Sequence, residues 1–252
     1  MCTVVILRRP GHPWPVILGA NRDDMVDRPW RPPARHWPDR DNVVAGLDEL
    51  AGGTWMGLND EGVVACILNR MGSLGPAQDK RSRGELVLEA LDHADAASAA
   101  EALSYLDPAG YRTFNLLVAD NRDAFVVSHR DPSGSLPVDI MPVPEGVSML
   151  TAYDLNDPAS PRTARYRPLF EQAPAPDPDR EEWSAWTALL ASRLPEGSDR
   201  QEALNIVTDF GFGTTSSSLV ALPAMDRTGV LPIWRFAIGR PDEAPWEPVA
   251  LS

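Results

Sequence analysis

The chain has 252 residues, 36 acidic against 23 basic, for a formal charge of −13, with 43% hydrophobic and 23% charged side chains. That length suits one folded domain, residues 1–252, with a core of its own, and the composition excludes global disorder. The negative charge argues against nucleic-acid partners, because binding to phosphate backbones rests on basic residues that release counterions.

At the N-terminus the apolar run Val4 to Leu7 is followed at once by Arg8 and Arg9, the reverse of a secretory signal's charge order. No stretch reaches the roughly 20 apolar residues of a membrane helix. A cytoplasmic chain without a membrane partner is therefore expected. Cys2 and Cys66 lack Cys-x-x-Cys spacing, and the four histidines (His12, His36, His93, His129) lack metal-ligand spacing. No metal and no cofactor is expected.

Cys2 to Leu7 and Trp14 to Gly19 are β-branched and aliphatic runs around a Pro/Gly loop, which predicts a hairpin. The prolines of Arg28 to Pro33 exclude helix and central strand and predict a surface loop. A second hairpin is predicted from Gly53 to Leu58 and Val63 to Leu68 around Asn59-Asp60-Glu61-Gly62. Two short helices follow, each with capping-box spacing: Ser82-x-x-Glu85 running to Leu91, and Ser98-x-x-Glu101.

Strands are expected over Thr113 to Ala119, Ala124 to Ser128, Val138 to Met141 and Val147 to Thr151. A Pro-rich linker, Gln172 to Pro178, precedes helices over Glu181 to Leu194 and from Ser198 through Val207. Strands close the chain at Ser218 to Leu222 and Ile233 to Ile238, while Gly211 to Ser216 reads as a loop. Strand-rich blocks alternating with pairs of helices predict an α+β fold: two antiparallel sheets face to face with helices outside.

Cys2 carries the most chemical information. A small residue after the initiator methionine normally permits its removal, which leaves a thiol and a free α-amino group on one residue. The amine, with a pKa of about 7.7–8.0, can take the thiol proton directly or through one water. Position alone is equally consistent with a buried strand-edge cysteine packing as a small hydrophobe. The cluster Asn21-Arg22-Asp23-Asp24 follows the strand that pairs with the Cys2 segment. Asp23 can hydrogen-bond the amine, and Arg22 can orient a carboxylate or stabilise an anion.

Met-Cys-Thr at the N-terminus, Asn21 to Asp24 and Gly52-Gly53-Thr54-Trp55-Met56-Gly57-Leu58-Asn59 resemble the NRDE family, which includes the transport and Golgi organisation protein 2 group. Ser82 to Val87, Phe114 to Asp120 and Gly213-Thr214 extend the resemblance along the chain. The name-giving motif here ends in Asp24 instead of glutamate.

The family in turn resembles N-terminal nucleophile hydrolases of the penicillin V acylase and bile-salt hydrolase type. That resemblance implies a four-layer αββα sandwich and cleavage of a non-peptide amide. It assigns Cys2 as nucleophile, Asp23 as the carboxylate that positions its amine, and Asn69 as oxyanion donor. Asn69 is equally suited to capping a strand end. The hydrolases carry an arginine where Ala20 stands, with Arg22 offset from it, and a late arginine near Gly213 to Ser218, where none occurs. A supporting charge is thus expected to be missing. Asn156 stands a few residues beyond the place of a further asparagine.

The expected catalytic set is therefore Cys2, Asp23, Arg22 and Asn69, with Asn21, Asp24, Trp55 and Asn156 as candidate substrate contacts. The expected activity is cleavage of a small acyl amide through a thioester. The alternative is a binding or trafficking protein on the same scaffold that holds haem or an acyl-thioester lipid.

Overall fold

The computed structural model describes residues 2–194 and 202–251. In chain order the first elements are β1 (Thr3–Arg8), β2 (Val16–Met25), β3 (Trp30–Ala34), β4 (Val43–Asp48), β5 (Met56–Asn59) and β6 (Val64–Asn69). Helices α1 (Gly84–Leu91) and α2 (Ala96–Ser104) follow, then β7 (Phe114–Ala119), β8 (Ala124–His129), β9 (Asp139–Pro142) and β10 (Gly146–Leu150). The last are α3 (Pro161–Gln172), α4 (Ser184–Leu190), β11 (Phe212–Leu222), β12 (Ile233–Ile238) and β13 (Trp246–Pro248).

These elements form two antiparallel sheets, one in each of two compact units, and the class is α+β as expected. The first unit, Met1–Arg28 with Pro144–Val249, holds a six-stranded sheet in the order β10-β1-β2-β11-β12-β13. Helices α3 and α4 pack on it. Val5, Leu7, Ile17, Met149 and Leu219 meet Tyr166, Phe170, Trp186 and Leu190 in that layer. Each such side chain contributes roughly 1.5–3 kcal/mol on burial. The opposite parity, Val4, Ile6, Leu18 and Val220, is buried as well. Burial of both faces explains why these strands read as continuous apolar runs instead of alternating ones.

The second unit is formed mainly by Pro29–Val143, with a seven-stranded sheet in sequential order from β3 to β9. Helices α1 and α2 bury Leu86, Val87, Ala90, Leu91, Ala99 and Leu103 against Val43, Ala65, Leu116 and Val127. Two of the motifs behind the family resemblance meet here. Thr54 N donates to Gly84 O at 3.1 Å, and a Cβ on Gly53 would lie 2.6 Å from the Gly84 carbonyl carbon. Glycine at both places lets the strand approach backbone to backbone the start of α1.

Several expectations change in the structure. The Pro-rich segment is strand β3, on the sheet edge, where proline's missing donor costs no ladder bond. A register shift between Arg31 and Ala34 accommodates Pro32 and Pro33. Neither capping box forms. The cap of α2 is Asp95, whose carboxylate accepts from Ser98 N at 2.7 Å. Glu85 turns away from the helix start to accept from the Tyr111 hydroxyl. The segment Gly211 to Ser216, read as a loop, belongs largely to β11, the longest strand among the described residues. The helix expected from Ser198 begins outside the described residues, and within them 203–207 form none. Strand β4 and helix α3 carried no recognised signal. No helix among the described residues is long and apolar enough to cross a membrane.

Two predictions follow from this packing. Gly84→Ala drives a methyl into the Thr54 backbone, 2.9 Å from its nitrogen, and is expected to cost about 1–3 kcal/mol, measured by urea unfolding. His129 is fully buried beside Phe114, and burial lowers its pKa below the ordinary histidine value. The unfolded chain then binds the proton more readily. Stability is full above about pH 6.5 and falls as the pH drops through and below that value. His129→Leu is expected to flatten the decline in Tm between pH 7 and pH 5.

Candidate active site

The polar cluster expected to follow the second strand is part of β2, and Asn21, Arg22 and Asp23 meet partners from distant parts of the first unit. Thr3 pairs with Asn21, which brings residue 2 alongside the Arg22–Asp23 stretch. The Cys2 thiol contacts the Asp23 main-chain oxygen at 3.7 Å. Cys2 is partly exposed. Burial around the sulfur pushes its pKa above the ordinary thiol value, the Asp23 charge adds to this, and Arg22 opposes it.

The Asp23 carboxylate has no solvent exposure. Thr214 Oγ1 donates to one oxygen at 2.7 Å, and Arg162 Nη1 approaches the other at 3.2 Å. The same Arg162 nitrogen donates to Thr3 Oγ1 at 2.6 Å. This guanidinium comes from the first turn of α3 and is 1% exposed. A cation in that turn opposes the helix dipole by roughly 0.3–1 kcal/mol. The buried carboxylate offsets it, because leaving a buried charge without its counterion costs several kcal/mol.

Local chemistry fixes the start of α3. Ser160 accepts from Thr163 N at 3.2 Å, Pro161 occupies the first turn, and Thr151 Oγ1 donates to Ser160 Oγ at 3.1 Å. Thr151 directly follows β10, the neighbour of β1. Arg162 is thereby carried over Thr3. A cation thus lies against Asp23, supplied from a helix and not from either place where the resemblance would put an arginine. Nothing in the sequence marked it, since Arg162, Arg165 and Arg167 look alike in an arginine-rich stretch.

The Gly213-Thr214 motif also gains a physical reason. A Cβ on Gly213 would lie 2.8 Å from the Ile206 carbonyl oxygen. Its absence lets Thr214 exchange bonds with Ile206, accepting from its N–H through Oγ1 at 2.9 Å and donating to its carbonyl at 2.9 Å. A bulge between Thr214 and Ser216 leaves Thr215 as the extra residue on β11. Thr215 Oγ1 accepts from Arg22 Nη1 at 2.8 Å.

The other candidates divide between the units. Arg22 is 5% exposed and donates through Nη2 to Asp24 at 2.6 Å. Arg28 approaches the same Asp24 oxygen at 3.5 Å. Asn21 donates to the Leu190 and Leu204 carbonyls at 2.9 and 3.0 Å and accepts from Ser217 Oγ at 2.7 Å. It ties the end of α4 and the Leu204 segment to β2. Asn156 adopts a left-handed backbone, φ +60°, and clasps the outer edge of β10. Its side-chain oxygen accepts from Met149 N at 2.8 Å, and its amide donates to Ser148 Oγ at 3.1 Å. Asn69 and Trp55 belong to the second unit. Asn69 ends β6 opposite Phe114, and the Trp55 ring meets Trp30 edge to face at 5.6 Å.

Asp23→Ala removes the counterion of a fully buried guanidinium and is expected to destabilise the protein by about 3–5 kcal/mol. Thr214→Val, which removes the hydrogen bond to the carboxylate and the acceptor of the Ile206 N–H, is expected to cost about 1.5–3 kcal/mol. Chemical denaturation of the two variants checks both the order and the size.

A family model described as Transport and Golgi organisation 2 matches residues 1–222. The human Transport and Golgi organization protein 2 homolog is 36% identical over 115 residues, covering 42% of this chain and 38% of the human protein. The match thus spans little more than a third of that relative. Among solved structures, penicillin V acylase from Agrobacterium tumefaciens aligns with a TM-score of 0.57 at 16% identity, over 94% of this chain and 83% of the acylase. A mutant conjugated bile acid hydrolase from Clostridium perfringens gives 0.51 at 12% identity, over 99% and 97%. At these identities the likeness establishes a shared fold, the one the sequence resemblance implied.

Proposed function

The chain belongs to the Transport and Golgi organisation 2 family, and from the corner shared by Cys2 and Asp23 we propose that it is an N-terminal-cysteine amidohydrolase. Its substrate is a small acyl amide, cleaved at a non-peptide C–N bond. The scaffold it shares with the acylase and the bile acid hydrolase supports a hydrolase reading at the level of fold. The observation that carries the finer reading is the 3.7 Å contact of the Cys2 sulfur, on a partly exposed residue, with the main-chain oxygen of Asp23, the residue whose carboxylate is braced from two sides.

The chemistry follows from the thiol's environment. A sulfur whose pKa is raised by burial is protonated at neutral pH and requires a base at the moment of attack. Removal of Met1 supplies that base on the same residue, as an amine that is partly unprotonated near pH 7. The amine takes the thiol proton, and the sulfur adds to the acyl carbonyl. The proton then passes to the leaving nitrogen as the C–N bond breaks. A water, deprotonated by the same amine, hydrolyses the thioester and restores the thiol. Asp23 holds the amine while it carries the proton.

Intact-mass measurement is expected to show a chain lacking Met1, and incubation with a panel of acyl amides to add one acyl mass that Cys2→Ala abolishes. Activity should rise between about pH 6 and pH 8, as the amine loses its proton. Retention of Met1, or turnover undiminished in Cys2→Ala, would sink the proposal. Tight retention of haem or an acyl-thioester lipid without acylation would favour the binding alternative.

A further inference from the structure

We infer that Arg162 is a positioning residue for Cys2: it fixes β1 and the Asp23 carboxylate relative to each other and offsets that carboxylate's field at residue 2. The inference deepens the hydrolase reading and rests on it for its catalytic meaning. Three observations carry it. One guanidinium nitrogen reaches both Thr3 Oγ1 at 2.6 Å and Asp23 Oδ2 at 3.2 Å. Thr3 is the direct chain neighbour of Cys2. Arg162 and the Asp23 side chain are 1% and 0% exposed, so water screens neither charge effectively.

A helix that needed only a packing residue at this place would carry an apolar one, as α3 does elsewhere in its contact layer with Phe170 and the ring of Tyr166. A charge buried here instead has electrostatic work to do at its partner. Asp23 alone disfavours the thiolate of Cys2 and would hold the neighbouring amine protonated, which removes the base. With Arg162 in contact, the carboxylate still orients the amine, but its net field is reduced.

Among the described residues the charged groups facing residue 2 are Asp23 and Arg22 on β2, beside the chain's own terminal amine, with Arg162 on α3 acting through Asp23. Strand β11 contributes hydroxyls at Thr214 and Thr215. The carboxylate of Asp24 is already joined to Arg22 and Arg28. Loss of Arg162 therefore removes a buried cation in contact with Asp23.

The test needs no substrate. Alkylation of Cys2 by iodoacetamide is followed by intact mass across about pH 7 to 11.5 in the full chain, for wild type, Arg162→Gln and Arg162→Lys, with circular dichroism confirming the fold at each pH. Arg162→Gln is expected to move the midpoint upward, by less than the roughly one pH unit that an opposite charge in direct contact with the thiol would produce, because the guanidinium acts through Asp23. Arg162→Lys, which keeps the charge, is expected to stay within about a third of that shift.

A merely structural role would lower Tm and leave the midpoint unmoved in the folded protein. Should Arg162→Gln fail to fold, Thr3→Val keeps every charge while releasing the guanidinium from its hydroxyl anchor, and a smaller upward shift is expected. An unmoved midpoint in the folded variants overturns the inference. Because alkylation reads the sulfur directly, the result stands apart from whether any acyl amide is turned over. If the amide panel fails while the midpoint shifts, the hydrolase reading falls and the electrostatic coupling remains.

Discussion

A carboxylate with no solvent exposure sits where a helix packs on a sheet, and the arrangement at the first hairpin depends on what neutralises it. The Asp23–Arg162 contact joins β2 to α3, and through Thr3 it joins both to β1. Either charge alone in that layer would cost more than a typical hydrogen bond returns. The pair therefore selects against packings in which α3 slides along the sheet or β11 moves from β2, because Thr214 holds the other carboxylate oxygen.

The same constraint shapes the surroundings. Gly213 lets the Ile206 segment close on β11, and the bulge at Thr215 sends a hydroxyl to Arg22 just where Thr214 faces Asp23. Asn21 spends its hydrogen bonds on the carbonyls of Leu190 and Leu204 and on Ser217. The polar run Asn21 to Asp24 is thus an ordered strand end with each side chain given a separate task. Asn21 anchors helix and loop, Asp23 joins the buried pair, and Arg22 with Asp24 forms a partly buried ion pair.

Much of the fold was legible because local patterns survive burial. The two N-terminal hairpins, the β7–β8 hairpin and both helices of the second unit follow from β-branched runs, turn residues and apolar spacing. Strand β3 was misread because its prolines exclude only central positions, and edge status is not written in the segment itself. Strand β11 reads short in the sequence because Thr and Ser at 214–217 look like loop residues until the hydroxyls of Thr214, Thr215 and Ser217 are seen facing Asp23, Arg22 and Asn21. Helix α3 has low apolar content and a proline at 168, and its periodicity is too weak to stand out.

The sequence by itself determined the strand and helix types, the cysteine that removal of Met1 would leave first, and the carboxylate near it, since each rests on neighbours within a few residues. Only the tertiary structure decided which cation serves that carboxylate and which strand lies against it. Asp23 meets Arg162 across 139 positions and Thr214 across 191. Contacts that distant leave no period in the chain. A buried charge takes the partner that the packing of helix on sheet brings within reach, and one arginine among many carries no mark of that selection until the chain is folded.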